Sequence, residues 1–217
     1  SIGDPKAKAG EGGLEVGDDN MYVVDLAQAS GGEGYELATF EAPAGTYDHY
    51  GYRIAPSADA IAINAAPADV AAMAAAGYSI WLQGQATQGA VTKTLDWGFA
   101  LKLGHSHCDA DARIREEAVT MQATIHADHF FYDDAVSPEP ELAFQLIADS
   151  DANGDGAVTL AELASTDIRG ETRYQVGSKR DSKGDPIINL AQYLELQATT
   201  LGHINGEGHC EDLIIEP

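Results

Sequence analysis

Oxygen-bearing side chains recur on alternate positions at Asp151, Asn153 and Asp155. Gly156 follows, and Thr159 and Glu162 close the stretch. Little besides a cation-binding turn needs this pattern. A hard divalent cation takes roughly six to eight oxygen ligands, so several carboxylates must converge from one short loop. The competing reading is an acidic, solvated loop. Helical patterning surrounds the stretch, with helices predicted at Glu139–Ala148, Leu160–Ala164 and Leu190–Leu201.

Written out, Asp151-Ala-Asn153-Gly-Asp155-Gly156-Ala157-Val158-Thr159-Leu160-Ala-Glu162 resembles the EF-hand calcium loop at each of its ligand positions. The resemblance implies side-chain oxygens from Asp151, Asn153 and Asp155, and the backbone carbonyl of Ala157. It also implies an oxygen or bridging water at Thr159, two oxygens from Glu162, and a sharp turn at Gly156. A bidentate Glu162 favours Ca²⁺ over the smaller Mg²⁺. EF-hands come in pairs, and Asp181–Gln192 is the candidate partner. It keeps acids at Asp181 and Asp185 but has Lys183, Pro186 and Gln192 where a ligand, the turn glycine and the closing acid belong. Its expected role is structural, with Ile188 pairing to Val158.

The first half of the chain reads differently. Met21–Leu26, Tyr35–Glu41, Tyr47–Ala55, Tyr78–Thr87, Val91–Leu103 and Val119–Tyr132 have strand composition or alternation, with a hairpin at Gln88-Gly89. Pro67–Gly77 is a short helix, with Pro67 in its first turn and Gly77 at its cap. The expected fold is mainly β with a small α unit: a flexible glycine-rich leader over 1–20, an antiparallel β-sandwich over 21–135, and an EF-hand-like helical unit over 136–217. Cys108 and Cys210 are the two cysteines. One disulfide between them would tie the helical unit back, contributing about 4–5 kcal/mol in the chain-entropy model. A disulfide implies an oxidising compartment, so the periplasm, the cell surface or secretion. The alternatives are free thiols or a thiolate–imidazole metal site. The start at Ser1 fits a removed signal peptide or a trimmed chain, and no apolar run is long enough to span a bilayer.

Six of the seven histidines are clustered, and only His49 stands apart. His105 and His107 precede Cys108, His126 and His129 end the long predicted strand, and His203 and His209 precede Cys210. A Cys108–Cys210 bridge would gather His105, His107, His209 and His203. Imidazoles with nearby carboxylates suit Zn²⁺ or copper. His126, His129, His203 and His209 lead, with His105 and His107 next. On a strand, His126 and Asp128 would share a face and His129 would point the other way unless the strand bends. The rival reading makes these histidines ordinary hydrogen-bonded groups near strand ends. Trp97 is expected as a core anchor. Histidine ligands, calcium ligands and a strand Trp together resemble certain copper-scavenging bacterial surface proteins. The stretch from His126 to Cys210 is similar to uncharacterised secreted bacterial proteins.

A net charge of −23 excludes nucleic acid and anionic membrane surfaces as partners. Walker, GxSxG, HExxH and CxxC patterns are absent from the sequence. The function expected is therefore metal binding, with Ca²⁺ and Cu or Zn, for capture or storage. A calcium-stiffened adhesion module with a protein or cell-surface partner is the first alternative, and a metal-dependent oxidase or hydrolase the second.

Overall fold

Strand formation begins at Ile2, on residues with little hydrophobic character. Gly3, Pro5 and Ala7 alternate inward while Ile2, Asp4, Lys6 and Lys8 stay partly exposed. The computed structural model describes residues 1–9, 13–29, 34–114, 118–208 and 210–214. In chain order it contains β1 (Ile2–Lys8), β2 (Glu15–Gly17), β3 (Met21–Val23), β4 (Gly45–Ile54), β5 (Ile61–Ala62) and helix α1 (Pro67–Ala76). Next come β6 (Ile80–Gln88), β7 (Val91–Phe99), β8 (Leu103–Ile114), β9 (Ala123–Ile125), α2 (Gln145–Asp149) and β10 (Ala157–Val158). The last elements are α3 (Leu160–Leu163), α4 (Leu190–Ala198), β11 (Gly202–Ile204) and β12 (Glu211–Ile214). The protein is mainly β with few, short helices.

Two compact units share the chain. Ser1–Ile80, Ala100–Ile125 and Gly202–Pro217 form one, and Trp81–Phe99 with His126–Leu201 form the other. These units do not divide the chain at 20 and 135. Nor do Ile2–Lys8 form a leader, since β1 pairs with β2, β3 and β4.

The first unit is built on a seven-stranded sheet in the order β12-β8-β4-β1-β3-β5, with β2 also paired to β1. Its described pairings are antiparallel except β3 with β5. Tyr47, Tyr52 and Ile54 of β4 and Leu103, His105 and Cys108 of β8 are buried. Cys108 is bonded to Cys210, closing a sequence separation of 102 residues. The expected strand at Tyr35–Glu41 is not formed; Tyr35 is exposed, so the alternation there has no buried face to drive it. Helix α1 ends as expected, at Gly77 with a left-handed φ of 69°.

In the second unit β6 and β7 form the expected hairpin, with Gly89 at φ 61° in its turn. Strand β10 adds to β7 in parallel, Val158 beside Leu95. The expected Val158–Ile188 pairing does not occur. Ile188 is 40% exposed, whereas Val158 is buried and its carbonyl accepts the Trp97 indole N–H at 2.7 Å. Trp97 is fully buried as the anchor of this core, with the rings of Phe130 and Phe131 at 6.3 and 6.5 Å. Glu139–Ala148 is helical only from Gln145. Upstream, Leu142 instead bridges to Tyr132.

Candidate metal centre

The segment Val119–Tyr132 was expected to be one strand. It is strand only over Ala123–Ile125, and Ala127–Phe131 closes into a 3-10 turn. Phe130 explains the change. Its ring is buried, stacked on Phe99 at 5.4 Å and set edge-on to Trp97. Seating that ring in the core bends the backbone, and His129 N–H and Tyr132 N–H donate to the carbonyls three residues earlier, at 3.3 and 3.1 Å. In a 3-10 turn, side chains at i and i+3 eclipse. His126 and His129 therefore lie on one side, with ring centroids 5.6 Å apart. The bend that a strand reading lacked is what brings them together.

His126, Asp128 and His129 each offer a ligand atom within 4.8 Å of the others. Two imidazoles and a carboxylate are a donor set for Zn²⁺ or Cu²⁺ rather than for a hard cation. Neighbouring groups orient two of the three. Tyr132 O–H donates to Asp128 Oδ2 at 2.9 Å, and the Tyr132 ring lies 4.6 Å from that of His129. His129 Nδ1 is 2.9 Å from Thr200 Oγ1. Sequence reasoning paired Asp128 with His126 on a strand but did not rank it as a ligand, and it missed Tyr132 and Thr200. The signal for Tyr132 was its four-residue spacing from Asp128. Thr200, 71 residues from His129, left none.

The other predicted histidines lie in the first unit. His105 is buried and stacked on Tyr52, its cross-strand partner, with centroids 4.5 Å apart. A Cβ on Gly202 would meet His105 Cε1 at 2.4 Å, so glycine is required where β11 passes this ring. These contacts make His105 part of the core. His107 has a left-handed φ of 52°, and its ring meets that of His49 edge-on at 5.4 Å. The histidine that stands apart in sequence is thus the neighbour of His107. His203 sits partly buried in β11, and its carbonyl accepts from Tyr52 O–H at 3.0 Å. His209 lies outside the described residues.

The loop Asp151–Glu162 is held by its own side chains. Asp151 Oδ1 accepts from the Gly154 and Asp155 amides at 2.8 and 3.2 Å, and Oδ2 from Gly156 N–H at 2.9 Å. Asn153 Oδ1 accepts from Asp155 N–H, and Asp155 Oδ1 from Ala157 N–H, both at 2.8 Å. Gly156 takes a φ of 86°, which the turn requires and other residues rarely adopt. Thr159 and Glu162 form a capping box at the start of α3, while Glu162 Oε1 accepts from Ala152 N–H at 3.2 Å across the loop. Hydrogen bonds to the ionised forms hold both acids below the usual carboxylate range. The donor is chiefly Lys93 for Asp151, and the Thr159 backbone for Glu162. The helices either side, α2 and α3, have five and four residues.

Asp181–Gln192 is also held by its own side chains. Gln192 Nε2 donates to Asp181 Oδ2 at 3.0 Å, and its Oε1 accepts from Ile188 N–H at 3.0 Å. Asp181 Oδ1 accepts from the Lys183 and Asp185 amides at 3.0 and 2.8 Å. An amide thus bridges the loop where the first loop has Glu162. No family model, curated protein or solved structure matches this chain.

Proposed function

We propose that the chain is a metal-binding protein of an oxidising compartment, secreted, periplasmic or on the cell surface. One Ca²⁺ stiffens the Asp151–Glu162 loop, and a Zn²⁺ or Cu²⁺ is held by His126, Asp128 and His129 for capture or storage. The observation that carries this reading is the convergence of two imidazoles and a carboxylate on a single 3-10 turn. The Cys108–Cys210 bridge supports the compartment. The reading also takes Asp151–Glu162 with α2 and α3 as an EF-hand-like unit, and the β-rich remainder as a sandwich.

The calcium part is supported by the order of the donors and by the left-handed glycines Gly154 and Gly156. Asp151, Asn153, Asp155 and Glu162 already turn oxygens on the loop's own amides. Three protein ligands leave a tetrahedral ion one position for water or substrate. The same residues would therefore also serve a metal-dependent oxidase or hydrolase.

Titration of the chelator-treated protein with Zn²⁺ and with Cu²⁺ tests the reading. One equivalent is expected to bind, and neither His126→Ala nor His129→Ala should retain it. Absence of stoichiometric binding by the parent protein would overturn the transition-metal site and leave a calcium-stiffened interaction module. For the loop, Glu162→Gln keeps the capping box, because Gln serves there as well as Glu. It is expected to lower Tm more in calcium than in chelator, and an unchanged calcium response would contradict a structural ion.

A further inference from the structure

We propose that Thr200 is a positioning residue that fixes the tautomer of His129, so that Nε2 is the nitrogen His129 offers to a metal. The inference rests on the metal-binding reading of His126, Asp128 and His129.

Helix α4 presents the buried polar side chains of Tyr193 and Gln197 to the 3-10 turn, and Thr200 follows two residues after the helix ends. Tyr193 and Gln197 are almost fully buried. Tyr193 O–H donates to the Tyr132 carbonyl at 2.9 Å, and Gln197 Nε2 donates to Tyr193 Oη at 2.8 Å and to the same carbonyl at 3.4 Å. These bonds fix the end of the turn that carries His126 and His129. Thr200, one turn further on, reaches His129 Nδ1 at 2.9 Å.

The direction of that last bond follows from proton counting. A threonine hydroxyl has one proton. Thr200 O–H donates it to the Gln197 carbonyl at 2.9 Å, the bond back to the preceding turn that threonines make at helix ends. Thr200 Oγ1 then meets His129 Nδ1 as an acceptor, and Nδ1 carries the proton. The lone pair of the neutral ring lies on Nε2. A metal-ligating histidine characteristically donates its other N–H to an oxygen, which sets the tautomer and orients the ring. Thr200 supplies that oxygen, and the Tyr132 ring at 4.6 Å restricts rotation.

Long-range ¹H–¹⁵N correlation spectra of histidine-labelled, metal-free protein, at a pH where the imidazoles are neutral, read the tautomer directly. His129 is expected in the Nδ1–H form. Thr200→Val should lose that form, and Thr200→Ser should keep it. In parallel Zn²⁺ titrations, Thr200→Val should bind about 10–100-fold more weakly than the parent, with Thr200→Ser close to it. An Nε2–H tautomer in the parent protein, or a Thr200→Val spectrum unchanged from it, would overturn the proposal. If the parent binds no Zn²⁺, the metal reading fails, and the metal-free spectra still decide whether Thr200 sets the tautomer.

Discussion

Lys93 Nζ lies 2.5 Å from Asp151 Oδ2, and the two side chains are only 18% and 2% exposed. The parallel pairing of β10 with β7 creates this contact, because Thr94 lies beside Ala157 and brings Lys93 to the loop. The carboxylate expected to lead the calcium ligands is therefore already neutralised by a tethered cation. A calcium ion must displace Lys93 or share Asp151 with it, so the two compete. Lys93→Gln is expected to lower Tm in chelator and to raise calcium affinity about tenfold, within the usual range of coupled sites. Isothermal titration beside melting curves checks both. Calcium affinity that falls, or stays the same, would contradict the competition.

The acids of the loop also set a pH dependence. Asp151 and Glu162 are held below their ordinary values in the folded protein by the hydrogen bonds of Lys93 and Thr159. Their contribution to stability is complete above the unfolded carboxylate range, about pH 4. It is lost only as pH falls below that, through the lower folded values. Metal-free melting curves are expected to be flat in this respect from pH 7 to about 5 and to drop below about 4. In Lys93→Gln the drop should be smaller, because Asp151 then titrates closer to its unfolded value.

Gln192 bridges the second loop through its side-chain amide. Replacing it with Glu sets a carboxylate where an amide N–H now donates to Asp181 Oδ2. Two like charges then face each other. Gln192→Glu is expected to lower Tm in chelator and to regain part of it in millimolar Ca²⁺, a gain larger than any the parent loop gives. A Tm unchanged in chelator would show that the amide bridge contributes nothing.

Phe130 couples the core of the second unit to the proposed metal site. Phe130→Ala removes a buried ring that stacks on Phe99. The expected destabilisation is about 3–5 kcal/mol, measured by urea unfolding. Zn²⁺ affinity should fall as well, since the buried ring anchors the turn that carries His126 and His129. Full stability in the variant would contradict the packing described here.

The sequence was most readable where the chemistry is local. The donors Asp151, Asn153, Asp155 and Glu162 and the turn at Gly156 lie within one loop, so their spacing displays the shape they need. The hairpin at Gly89 and the cap at Gly77 are legible for the same reason. Long-range choices were not. Val158 pairs with Leu95, far away in sequence, and nothing in the loop distinguishes that partner from Ile188. Strand β1 buries Gly3, Pro5 and Ala7, residues too small to write a hydrophobic period. Strand β8 buries His105 and Cys108 among polar neighbours, so its histidines read as ligands where one of them is core. The strand-like composition before Tyr132 hid a 3-10 turn, because the burial of Phe130, not local propensity, decides the backbone there.

Elemental analysis of the purified protein, beside the His126→Ala/His129→Ala variant, tests the central claim most directly. The account predicts one calcium and one zinc or copper per chain in the parent. In the variant it predicts calcium retained and the transition metal lost. Calcium alone in a parent protein supplied with zinc and copper, or a transition metal retained by the variant, would contradict it.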